Sequence, residues 1–382
     1  MSGTQRTGST PRQEMKADDS TASQDATEGI AVIGLGCRYP GAEHAAALWQ
    51  NVLARRQQFR RMPDGRLPLA DYHDPDRKVA DKTYSSRAAL IDGFLFDWVK
   101  RRVPKQTVEA TDIAHWLALE VAIQALEDAG YVAQASGAAE TGRQLPQART
   151  AVVLGNSLTG EQFRASIMRL RWPYIERELR RAATALGWQS GPMDALLTRA
   201  EGHFKAGLAP FTEDTLAGFL SNTIAGRVCN FLDVHGGGYV VDGACASSLL
   251  AVATACDALS RGDVDVALAG GVDVSIDPFE LVGFAKAGAL TPGDMHVYDK
   301  RAQGFIPGEG SGVLVLKRLS DARRDGDYVY ATLRGWGISS DGKGGITAPS
   351  SAGQSLALER AYRRAGYAPQ SLTFIEGHGT GT

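Results

Sequence analysis

The sequence predicts an α/β protein. Apolar runs of strand length recur along the chain, two segments with helical periodicity stop at glycines, and the two kinds of segment alternate. Alternation of this sort favours a largely parallel sheet. Ile30–Gly36 (IAVIGLG) opens the structured part as a buried strand. Further strand candidates are Thr150–Gly155, Gly238–Val241, Val264–Ala269, Val313–Leu316, Val329–Leu333 and Leu372–Ile375. Residues Ala114–Ala129 carry Trp116, Leu119, Ile123 and Leu126 on one helical face, with Gly130 as the stop. Ser355–Ala365 ends the same way at Gly366. Residues 161–214 are polar, Arg-rich around Arg164–Arg181, and are expected to form a helical insertion over the core.

Composition bounds the function classes. Of 382 residues 43% are hydrophobic and 22% charged, and the formal net charge is −2, ordinary values for a globular protein. A near-neutral balance supplies no electrostatic case for nucleic acid or an anionic membrane as partner. No apolar stretch approaches the ~18 residues of a membrane helix, and the N-terminus has no signal-like apolar core. Residues 1–28 contain no Leu, Ile, Val or aromatic residue, so a disordered tail is expected there. The four cysteines are too sparse for a disulfide framework and show no metal-ligand spacing, which predicts reduced thiols, a cytoplasmic location and no metal site. Gly34 and Gly36 form a GxG, but the third glycine and the following helix of a dinucleotide fingerprint are missing.

One cysteine stands apart. In Gly238-Tyr-Val-Val-Asp-Gly-Ala-Cys245-Ala-Ser-Ser-Leu-Leu, a short strand runs into small residues, and a helical pattern starts at or just after Cys245. A thiol placed there faces the free N–H groups of a helix start. A free thiol is only about 3% thiolate at pH 7. A helix terminus contributes about 0.3–2 kcal/mol towards the thiolate, so a second donor is expected nearby. Gly243, Ala244, Ala246 and Ser247 leave room for a substrate carbonyl beside backbone donors. Cys37, Cys229 and Cys256 read as plain buried thiols. At the C-terminal end, Glu376-Gly-His378-Gly-Thr-Gly-Thr382 places a histidine in a Gly/Thr loop after a strand candidate, where open α/β sheets bind ligands.

Taken together these motifs resemble the β-ketoacyl synthases of fatty acid and polyketide synthases, over residues 29–382. The motifs are IAVIGLGCRYPGA, AVVLGNS (Ala151–Ser157), VDGACASSLLAV (Val241–Val252), ALAGGVDV (Ala267–Val274), GFIPGEGSGVLVLKRL (Gly304–Leu319) and EGHGTGT (Glu376–Thr382). The resemblance implies the thiolase fold, an αβαβα sandwich of two similar halves: an N-terminal half at about 29–283 and a partial second half at about 284–382. It also implies the chemistry. An acyl chain passes from an acyl carrier protein to Cys245, and a malonyl–carrier-protein extender then loses carbon dioxide and attacks that thioester. His378 would stabilise the malonyl enolate, Thr380 and Thr382 would touch the phosphopantetheine arm, and Phe284 would line the acyl pocket. Phe305 and Glu309 read as structural. The domain itself is expected to bind no cofactor, its substrates being malonyl and acyl thioesters carried on phosphopantetheine, and to form a homodimer.

Asp242-Gly-Ala-Cys-Ala246, Thr111-Asp-Ile-Ala-His-Trp116 and Ser339–Gly345 resemble iterative enediyne-type and polyunsaturated-fatty-acid synthases most. Family members continue beyond HGTGT with a lysine and a second histidine. The chain is therefore expected to be a C-terminally truncated domain with an incomplete second half; the alternative to a condensing enzyme is an impaired fragment acting only in acyl binding, dimerisation or carrier docking. A non-catalytic chain-length partner is disfavoured by Cys245, and a degradative thiolase by the HGTGT loop and the GFxxGEG run.

Overall fold

The computed structural model describes residues 28–131, 142–343 and 348–382. The tail expected at 1–28 lies outside them except for Glu28, as does part of the Ser339–Gly345 run. Six strands form one mixed sheet: β1 (Ile30–Arg38), β2 (Thr150–Gly155), β3 (Gly238–Val241), β4 (Val266–Asp273), β5 (Gly310–Arg318) and β6 (Ala331–Leu333). Their order is β3-β2-β4-β5-β1-β6. Only β2 runs parallel to its neighbours β3 and β4, while β4–β5, β5–β1 and β1–β6 are antiparallel. The expected largely parallel sheet is thus corrected. β1 and β5 are long inner strands running against each other, with one register shift at Ile33, and alternation of elements along the chain does not encode that direction.

Strands buried on both faces read as continuous apolar runs, and β1 and β2 do so. Ala31, Ile33, Val152 and Leu154 point into one core, and Ile30, Val32, Ala151 and Val153 into the other. The first core is covered by α1 (Ile113–Asp128) and α5 (Asn222–Leu232), the second by α6 (Ser247–Arg261). Between α1 and α5 in sequence lie α2 (Glu161–Ala185), α3 (Ser190–Ala206) and α4 (Glu213–Phe219), so most of residues 161–214 is helical. α7 (Ser351–Ala365) ends, as expected, on Gly366 at φ 74°. Leu372–Ile375 is not a strand, which corrects that expectation: among the described residues it pairs with no strand, and Phe374 and Ile375 are exposed. Among the described residues there is one large sheet, and no helix is long and apolar enough to cross a membrane.

α1 is more deeply placed than a one-faced amphipathic helix. Its residues from Ala114 to Leu119, and Val121, Ala122, Ile123, Ala125 and Leu126, are all buried, because the sheet covers one side and α5 another. Asp112 caps it by accepting from Ala114 N–H at 3.0 Å, and its other oxygen accepts from Phe163 N–H at 3.0 Å. The GxG of β1 serves this packing. A Cβ on Gly34 would lie 2.3 Å from the Ala125 carbonyl oxygen, and one on Gly36 2.2 Å from that of Val121.

α1 also buries His115, whose pKa falls to about 3, chiefly through desolvation and then through the Arg227 charge. The unfolded chain binds this proton near pH 6.5 and the folded chain does not, so stability is lost as pH falls below about 6.5. Glu280 acts oppositely: burial, and then Asp273, raise it to about 7, so the folded chain holds a proton that the unfolded one releases. The two slopes oppose each other between about pH 4.5 and 6.5, and a variant isolates one of them. We expect the stability gap between wild type and His115→Gln to narrow by about 2 kcal/mol from pH 8 to pH 5. Urea titrations at both pH values check this, and a constant gap would show that His115 titrates in the fold.

Candidate active site

The strand–turn–helix around Cys245 is built as its sequence suggests. β3 ends at Val241, a single 3₁₀ turn covers Ala244–Ala246, and α6 begins at Ser247. The turn sits directly on β2. A Cβ on Gly155 would lie 2.5 Å from the carbonyl carbon of Ser247 and 2.6 Å from the Ser248 nitrogen. Glycine there is what lets the start of α6 rest on the sheet. Ala244 adopts φ +51°, a left-handed conformation that costs a non-glycine residue about 1 kcal/mol or more.

Hydrogen bonds hold the turn in that shape. Asp242 Oδ1 accepts from the Ala244 N–H at 2.9 Å and from the Ser157 hydroxyl at 2.5 Å. Ser247 is buried; its oxygen accepts from Gly243 N–H at 2.9 Å and its hydroxyl donates to the Ala244 carbonyl at 2.7 Å. A hydroxyl has one proton, so the longer 3.4 Å approach of Ser247 to Asp242 is secondary. The Ser157 hydrogen bond, followed by that from Ala244 N–H, holds the Asp242 carboxyl below the usual carboxylate range.

Cys245 itself is exposed and lines a cleft of about 290 Å³. Gly155, Asn156, Asp273, Glu309 and Gly310 share that lining. Asn156 is buried and locks the end of β2: its amide donates to the carbonyls of Thr159 at 3.0 Å and Val272 at 2.9 Å. Glu309 is buried, ion-paired with Arg66, and accepts from the Ile91 N–H at 2.8 Å, in keeping with a structural role. The other three thiols are withdrawn. Burial raises Cys37, pushes Cys229 to about 11 and is the main reason that Cys256 stands at about 12.

The remaining site candidates lie elsewhere. His378 is exposed and is not among the cleft-lining residues. Its loop rests on the segment around His296 and Gly304, with the Gly304 N–H donating to the Gly381 carbonyl at 2.8 Å. The Thr380 and Thr382 hydroxyls are 2.8 Å apart. Phe284 packs edge-on against Phe305, with centroids 5.2 Å apart, beside a small core that includes Leu281 and Leu290. The amino-acid sequence identifies the nucleophile candidate, but the side chains that hold its turn, Ser157, Asp242 and Ser247, were missed. The local sequence offers only an Asp two residues before Ala244 and a serine at the start of the helix; Ser157 follows another strand and leaves no signal beside the turn.

Comparison with known proteins identifies the family. The family model for the beta-ketoacyl synthase N-terminal domain matches residues 27–322, and that for the C-terminal domain matches residues 330–382. A polyunsaturated fatty acid synthase polypeptide from Thraustochytrium sp. is 34% identical over 92% of this chain, which spans 12% of that protein. Polyketide synthase PksL of Bacillus subtilis is 32% identical over 93% of the chain, which spans 7% of it. Among solved structures, an oxazolomycin ketosynthase domain from Streptomyces albus superposes with a TM-score of 0.74 at 30% identity, over 93% of this chain and 53% of that one. A bacillaene synthase ketosynthase from Bacillus subtilis gives 0.71 at 30% identity, over 93% and 52%. The fold is therefore that of the thiolase-fold ketosynthases, and the chain belongs to the beta-ketoacyl synthase family.

Proposed function

We propose that this chain forms carbon–carbon bonds between acyl thioesters in polyketide or polyunsaturated-fatty-acid assembly, with Cys245 as the nucleophile. The observation that carries the reading is the exposed thiol at a strained strand-to-helix turn, facing a cleft while the other three thiols are withdrawn. In the first step the sulfur attacks the thioester carbonyl of an acyl–carrier protein; the bond to the pantetheine sulfur breaks, and that thiol leaves with the proton. In the second, malonyl–carrier protein loses carbon dioxide. The resulting enolate carbon attacks the Cys245 thioester and the cysteine sulfur departs, leaving a β-ketoacyl group on the carrier. Both steps place negative charge on a carbonyl oxygen, which backbone N–H groups and an imidazole stabilise.

His378 is proposed as that imidazole donor, Thr380 and Thr382 as contacts of the phosphopantetheine arm, and Phe284 as part of the acyl pocket. An enediyne-type subclass is proposed on Asp242–Ala246 and Thr111–Trp116, with the polyunsaturated fatty acid synthase among its relatives in support. The free edge of β3, next to Cys245, supports homodimerisation by strand pairing. Four unpaired thiols support a cytoplasmic setting.

A second reading has one observation in its favour: no histidine lines the cleft among the described residues. Under it the chain accepts acyl groups but does not condense them. Intact-mass spectrometry after incubation with acyl–carrier protein, then with malonyl–carrier protein, separates the two. We expect an acyl adduct on Cys245 that disappears as a β-ketoacyl carrier forms. An adduct that persists supports the second reading, and no adduct at all removes Cys245 as nucleophile.

A further inference from the structure

We propose that Asp242 is a positioning residue for acyl transfer: through its Oδ1 atom it holds Ala244 in the left-handed conformation that presents Cys245 to the cleft. The inference rests on the reading of Cys245 as the acyl acceptor, and it adds a residue that does not itself touch substrate. Three features point to Asp242. Its Oδ1 takes hydrogen bonds both from the Ala244 N–H at 2.9 Å and from the Ser157 hydroxyl at 2.5 Å. Ser157 follows β2 and Asp242 follows β3, so the pair ties the turn to the neighbouring parallel strand, where Gly155 is paired with Val241. Finally, Ala244 is strained at φ +51° and gains nothing from being alanine there, so its conformation must be imposed by its neighbours.

Ser247 imposes the other half. It takes the Gly243 N–H and returns its proton to the Ala244 carbonyl, so both ends of the Gly243–Ala244 unit are fixed from the helix side. Asp242 fixes the Ala244 N–H from the strand side. Cys245 sits between these two anchors, and rotating the Ala244 peptide would re-aim both its thiol and its own N–H. Acyl transfer needs the carbonyl carbon at the sulfur and the carbonyl oxygen at backbone donors simultaneously, which makes it sensitive to such a rotation. Alkylation by a small reagent needs only an accessible thiol.

The test uses the full chain with Asp242→Ala, Asp242→Asn and Ser157→Ala. Acylation by an acyl–carrier protein, alkylation by iodoacetamide, and amide exchange across residues 242–247 are measured for each. Asp242→Ala should acylate on the order of 10–100-fold more slowly than wild type, with alkylation within about threefold and faster exchange at the turn. Asparagine keeps an Oδ1 acceptor, so Asp242→Asn should restore acylation to within about threefold. Ser157→Ala should fall between the two. A merely structural role would lower thermal stability and leave the acylation-to-alkylation ratio unchanged, and that result overturns the proposal. If Asp242→Ala does not fold, a wild-type ratio in Ser157→Ala overturns it instead. A wild-type chain that takes no acyl group defeats the reading of Cys245, while exchange at the turn still decides whether Asp242 holds it.

Discussion

Cys245→Ala should abolish the acyl adduct and reduce condensation by at least roughly a thousandfold, while leaving thermal stability within about 0.5 kcal/mol of wild type. The two halves of this expectation follow from one observation: the residue is exposed, so removing its sulfur opens no cavity, yet it is the thiol that meets the cleft. The other cysteines cannot take its place. With Cys229 at about 11 and Cys256 at about 12, their thiolate fractions at pH 7 are on the order of 10⁻⁴ to 10⁻⁵. Cys37 is likewise raised by burial. Iodoacetamide at pH 7 should therefore add one carbamidomethyl group to the native wild-type chain and none to the variant within the same interval. After denaturation the variant should take up three, which shows that its remaining thiols were hidden and not oxidised. A persistent acyl adduct on native Cys245→Ala would remove this residue from the chemistry.

The nucleophile was legible because its signal is local: a strand, a run of small residues and a helix start all lie within about a dozen positions of sequence. The strand bounds Gly238–Val241 and the stop at Gly366 were readable for the same reason. Strand direction was not, since β1 and β5 are separated by more than two hundred residues and nothing in either run states which way its partner travels. Leu372–Ile375 has the composition of a strand but pairs with no strand among the described residues, and composition cannot report pairing. The hold on the turn was invisible for a related reason. Ser157 and Asp242 are 85 positions apart and meet only because β2 and β3 are adjacent and parallel. The place of His378 likewise depends on how the final loop packs on the His296–Gly304 segment, which the motif EGHGTGT does not describe.

The GxG of β1 illustrates how one short motif separates two hypotheses by the sign of a stability change. Gly36→Ala should destabilise the protein by at least about 3 kcal/mol, lowering Tm by about 4 °C or more. The added methyl would sit 2.2 Å from the Val121 carbonyl oxygen and 2.7 Å from the Ala125 nitrogen, and both atoms belong to the backbone of α1. Neither side can yield cheaply. Gly36 is paired with Val313 in the centre of the sheet, and α1 is buried on nearly its whole circumference. Relief requires prising the helix from the strand by about an ångström, which opens the core that both share. Gly202→Ala is the control, because the same methyl on α3 meets nothing within 4 Å. There the change should stabilise by about 0.5–1 kcal/mol, the ordinary gain of alanine over glycine inside a helix. Thermal denaturation of both variants reads the contrast directly. A Gly36→Ala protein that melts with wild type would mean that the glycines of β1 are not there for close helix packing, and a ligand-binding purpose for the motif would have to be reopened.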